Sequence, residues 1–182
     1  MAKRFRSFGV VAVVVVALGA VAGGVAASIH RPGIPVIGYM LRAQLDRSQM
    51  VPAPAAGVPV GASGQFQALL ARAPMYSRPP AGRSLKIVWR MAWRLTFSNL
   101  SGPVTKVLIG QGAKGQAGPM LISLCGLCGS PARGVVDVTA ATAKVLLAGG
   151  AYVTVSTTAS SGGEIRGQIS RVRILAPAGS RP

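Results

Sequence analysis

The sequence predicts an all-β domain, a sandwich or barrel of about eight strands with one short helix, preceded by an N-terminal hydrophobic segment. Three observations carry this. The 182 residues include 24 Gly and 13 Pro, more than a helical bundle uses and suited to short strands joined by turns. Trp89, Met91, Trp93, Leu95 and Phe97 alternate with Arg90, Ala92, Arg94 and Thr96, the period-two pattern of a half-buried strand. Residues 151–169, AYVTVSTTASSGGEIRGQI, read as an alternating strand, a Gly-containing turn and a second strand.

The N-terminus is a separate unit. Lys3, Arg4 and Arg6 precede an uncharged run from Ser7 to Ile29 that is rich in Val and Ala. A basic start before an apolar run is an export signal, and Val25-Ala26-Ala27 offers small residues for cleavage after Ala27. The run is also long enough to span a bilayer, so a retained membrane anchor is the alternative. Either reading places the rest of the chain outside the cytoplasm. The expected division is a signal or anchor over residues 1–29, a linker over 30–36, the β-domain over 37–175 and a disordered tail over 176–182.

Along the domain, Val36–Leu45 is a first strand and Val51–Gly64 a loop of Pro, Gly and Ala. Gln65–Ala71 is a second strand, and Ala73–Arg83, with Pro74, Pro79 and Pro80, an exposed loop. Leu85–Leu100 is the longest strand, ended by the turn Ser101-Gly102-Pro103. Thr105–Ile109 and Met120–Leu124 are strands flanking a flexible Gly-rich connection, Gly110–Pro119. Gly134–Val138 is another strand. Thr139–Leu147 suits one short helix, stopped by Gly149-Gly150. Ala151–Thr157 and Ile165–Leu175 complete the set.

Twenty Lys and Arg stand against three acids, Asp46, Asp137 and Glu164, giving a formal charge of +17. Such a charge attracts polyanions: acidic envelope polymers, lipid headgroups or nucleic acid. The basic residues form no dense run and no aromatic interleaving, which weighs against nucleic acid. Arg90 and Arg94, on the solvent side of the long strand, are the candidate polyanion contacts. The three acids are too scattered for a glycosidase pair, and His30, the sole histidine, lies in the linker, so no Ser-His-Asp site forms. The Gly-rich connection lacks the Lys-Ser/Thr ending of a phosphate loop. Cys125 and Cys128 form a C-x-x-C, expected outside the cytoplasm as a local disulfide; a redox-active pair is the alternative. Glu164 and Arg166 are two apart on one strand and so share a face, where an ion pair is expected.

Four segments in order, Leu45–Phe66, Leu95–Thr105, Gly115–Met120 and Thr139–Ile169, resemble the chordin-type (CHRD) domain family. The closest match is the end, with signature positions Tyr152, Gly162, Gly163, Glu164, Arg166 and Gly167. The resemblance implies an immunoglobulin-like or Greek-key sandwich and an exported, non-catalytic binding or structural module of the cell envelope. Many bacterial members carry a His-x-His pair and a third His where this chain has Val107, Ile109 and Ser156. No metal site and no cofactor are therefore expected. The expected partner is an unidentified protein or an acidic envelope polymer, with membrane contact through the N-terminal segment if it is retained. An extracytoplasmic thiol–disulfide protein using Cys125 and Cys128 is the alternative function.

Overall fold

A computed structural model describes residues 38–54, 56–76 and 85–172. The expected signal or anchor, the linker up to residue 36 and the tail from 176 lie outside these residues. Nine strands and one helix follow in chain order: β1 Gly38–Asp46, β2 Ser63–Tyr76, β3 Leu85–Ser98, β4 Val104–Gln111, β5 Met120–Cys125, β6 Ala132–Val138, α1 Ala140–Leu147, β7 Ala151–Thr157, β8 Ile165–Gln168 and β9 Ser170–Val172. A short 3-10 turn, Arg47–Gln49, follows β1.

The strands form one antiparallel sheet in the order β5-β4-β7-β8-β1-β2-β3-β6, with β9 also pairing β1. β5 and β6 are at opposite ends of that order, yet only Gly126–Pro131 joins them. Laid flat, eight strands would be roughly 34 Å wide. The link can reach roughly 25 Å at most. The sheet therefore curls until its two edges approach, enclosing the core.

The alternation in the sequence sets which side faces in. Leu41 and Leu45 of β1, Phe66 and Leu70 of β2, and Met91, Trp93 and Leu95 of β3 are buried. Their neighbours Arg42, Gln44, Gln67, Ala92 and Arg94 are exposed. Val107, Ile109, Val153, Val155 and Ile165 close the same core from the other half of the sheet. α1 begins where the Thr139 hydroxyl accepts from the Thr142 amide at 3.0 Å and ends before Gly149, whose φ of 75° is left-handed. Ala143 and Leu146 are its buried residues.

Most strand ends lie within two residues of the sequence expectation, and two places differ by more. β2 runs on through Pro74 to Tyr76, where a proline-rich loop was expected. β1 pairs β2 only as far as Ala71, so beyond it β2 has β3 as its described neighbour, and a proline is tolerated in a strand with an unpaired side. The last strand is broken at Ile169 into β8 and β9. Ile169 is buried and its amide bonds to Ala151 O, which diverts the chain from the straight path that the sequence predicts.

Phe66 is fully buried at the centre of the core. Phe66→Ala should lower the unfolding free energy by about 3–5 kcal/mol in denaturant titration.

Candidate functional site

Glu164 sits in the bend just before β8 and is fully buried. Its Oε1 accepts from the Ser101 amide at 2.5 Å. Its Oε2 accepts from the Ser101 hydroxyl at 2.6 Å and from the Thr157 hydroxyl at 2.5 Å. Thr157 Oγ1 in turn accepts from the Ser160 amide at 3.1 Å. One carboxylate thus ties the turn after β3 to the turn between β7 and β8. Gly163 permits the approach: its φ is 124°, and a Cβ there would meet Met50 Cε at 2.5 Å and Thr154 Cγ2 at 2.7 Å.

Arg166 points elsewhere, and the expected ion pair with Glu164 does not form. Its Nη2 donates to Gln116 O at 2.6 Å and to Ala113 O at 3.4 Å. Its guanidinium lies 3.6 Å from the centre of the Tyr152 ring. Only 2% of Arg166 is exposed, and burial pushes its pKa below the ordinary arginine value, opposed by Tyr152. The reason for the correction is long-range. Glu164 finds its donors on the β3–β4 turn, and Arg166 finds its acceptors on the Gly-rich connection. Gln168 Nε2 adds bonds to Gly112 O, Gly149 O and Ala151 O at 3.0, 2.7 and 2.9 Å. Tyr152 exchanges hydrogen bonds with Gly118 and packs where any Cβ on Gly110 would collide with its ring. The Gly-rich connection, expected to be flexible, is stapled by side chains of β7 and β8. Of the remaining signature glycines, Gly162 is exposed in the turn, and a Cβ on Gly167 would collide with Gln44 O.

Cys125 and Cys128 are joined as a disulfide. They fix the start of the link between the two sheet edges and pack against the core. Val107 and Ile109 are core residues and Ser156 is buried. Among the described residues no three of His, Cys, Asp and Glu come together.

Arg90 and Arg94 part company. Arg90 is bidentate to Asp137 at 2.6 and 3.0 Å, across the β3–β6 pair. Hydrogen bonding to Asp137 raises the Arg90 pKa and lowers that of Asp137. Arg90 is therefore occupied and not a free polyanion contact. Arg94 is exposed and makes no such pair among the described residues. The register places it in a row across four strands, Arg42–Gln67–Arg94–Arg133, all exposed. The next row on the same face is apolar: Val172–Met40–Leu69–Ala92–Val135. Arg42 and Arg133 escape sequence reading, because only the strand register brings them beside Arg94.

Asp46 is also consumed locally. Its carboxylate accepts from Ser48 Oγ at 2.5 Å, the Gln49 amide at 3.1 Å and Gln49 Nε2 at 2.6 Å, capping the 3-10 turn. Burial alone would raise its pKa, but these bonds from Ser48 and Gln49 together hold it below the ordinary 3.8.

Two outcomes follow. Glu164→Ala strands the Ser101 amide and the Thr157 hydroxyl, lowering stability by about 2–4 kcal/mol, with a smaller loss for the near-isosteric Glu164→Gln, by denaturant titration. Asp46 has a depressed folded pKa, so its stabilisation is present above its unfolded value of about 3.9 and is lost as pH falls through the folded value. Asp46→Asn should lower stability at neutral pH and flatten the acid limb of the stability–pH curve below about pH 4.

The CHRD domain family model matches residues 41–169. No curated protein and no solved structure matches the chain.

Proposed function

Because the chain belongs to the CHRD domain family, we propose that it is a non-catalytic binding module that works outside the cytoplasm and holds acidic partners of the cell envelope. The observation that carries this is the fate of its three carboxylates. Glu164 is buried in its hydrogen-bond socket, Asp46 caps the 3-10 turn and Asp137 is bound by Arg90. With 20 Lys and Arg in the chain, the three acids leave a large net positive charge, and none of them pairs with Arg42, Arg94 or Arg133. The family signature supports the same reading, since Tyr152, Glu164 and Arg166 are spent on holding turns and loops together.

The topology supports an immunoglobulin-like, Greek-key reading of the curled sheet. The β3–β4, β5–β6 and β6–β7 connections each pass between the half β5-β4-β7-β8 and the half β1-β2-β3-β6. Sandwiches of this kind present binding surfaces on a rigid scaffold. The basic N-terminus and the apolar run to Ile29 support export, either cleaved or anchored.

The test is binding of the full chain to polyglutamate and to polyphosphate, with dextran as a neutral control. Binding to both acidic polymers should weaken steeply between about 0.01 and 1 M salt, as the Debye length falls from about 30 to 3 Å. Binding that ignores salt, or no binding at low salt, would refute the cationic-module reading.

A further inference from the structure

The outer face of β1, β2, β3 and β6 carries a cost that nothing among the described residues offsets. Arg94 and Arg133 are directly opposite each other on neighbouring strands, a placement in which like charges repel. Arg42 continues their row two strands away. With neighbouring strands about 4.8 Å apart, the three guanidinium stems spread over roughly 14 Å. No acid of the described residues pairs with any of them, since Asp137 on this face is held by Arg90. Beside this row, one pleat repeat away and so roughly 7 Å along the strands, the register lines up apolar side chains across five strands. Leu69 is 42% exposed and Val135 65%. A line of exposed cations beside a line of apolar groups, exposed at Leu69, Ala92 and Val135, on one face of a sheet, has a specific complement.

We propose that this face seats flat on an anionic lipid bilayer. Lipid phosphates would lie over Arg42, Arg94 and Arg133, while Leu69 and Val135 reach the boundary between headgroups and acyl chains. Arginine suits this place, because its apolar stem lies along the surface while its guanidinium reaches the headgroups. A phosphate bridging Arg94 and Arg133 converts their repulsion into a site. A soluble acidic polymer would satisfy the arginines but offers nothing to the apolar row, and a bilayer offers both. This inference rests on the reading of the chain as a cationic binding module and narrows its partner.

The test uses the full chain and vesicles of neutral phosphatidylcholine, with or without phosphatidylglycerol. Residues 1–37 are common to every sample, so the gain on adding anionic lipid, compared between variants, reads the sheet face. Arg94→Gln with Arg133→Gln should cut that gain about 30-fold. Leu69→Gln with Val135→Thr should cut it about tenfold while leaving polyglutamate binding unchanged. Thermal melts confirm that each variant folds, and Val135→Thr alone, which keeps a strand-favouring side chain, replaces the double variant if Leu69→Gln does not. Loss of vesicle binding in the arginine variant, with the apolar variant like the wild type, would overturn the bilayer and leave the polyanion reading standing. Vesicle and polymer binding that neither variant changes would overturn the face altogether. A wild-type chain that binds neither vesicles nor polymer would refute the cationic module as well.

Discussion

A buried carboxylate with no cation paired to it among the described residues is an uncommon choice for a protein with three acids and 20 basic residues. Glu164 takes that role here. Taking a carboxyl group out of water is costly unless hydrogen bonds replace the water, and three donors from two separate turns do so. Those turns belong to different parts of the sheet. Ser101 lies where the chain leaves β3 to cross to β4, and Thr157 lies at the end of β7. The crossing from one half of the sheet to the other is thus fixed by the same group that shapes the β7–β8 turn. Removing it would leave both turns with buried polar atoms and no partners, which is a stronger constraint than the modest net value of each bond.

The same economy runs through the other signature positions. Arg166 is stacked on Tyr152 and bonded to the Gly-rich connection, and Gln168 ties that connection to the end of α1. The charged residues that mark the family are internal braces. The proposed binding face lies on the surface, where strand register alone decides which side chains meet. A curled sheet sets the stems of Arg42, Arg94 and Arg133 in one line, since each projects from a backbone already fixed by its neighbours.

The fold was legible because its signals are local. Alternation in residues 89–97 marks a half-buried strand wherever that strand lies, and Thr139 with Gly149 brackets a short helix by capping alone. The site was less so, because its partners are distant in sequence. Glu164 and Arg166 are two residues apart, and the short separation suggested that they meet; each instead meets a turn or loop dozens of residues away. Proximity in sequence says which face a side chain takes, not what waits there. Pro74 misled in the same manner, since its effect depends on whether a neighbouring strand needs its missing N–H. The arginine row needed the register of three strand pairs, and alternation does not supply register.

Amide hydrogen exchange at Ser101, followed by NMR on the full chain, probes the Glu164 brace most directly. A turn amide open to water exchanges quickly, whereas one held by a buried carboxylate exchanges only when that socket opens. Protection at Ser101 comparable to the β7 amides, lost in Glu164→Ala while those amides stay protected, is the result this structure predicts. Exchange at Ser101 as fast as at the neighbouring Gly102, in the unaltered protein, would mean that Glu164 does not hold the turn, and that a signature residue is free for binding after all.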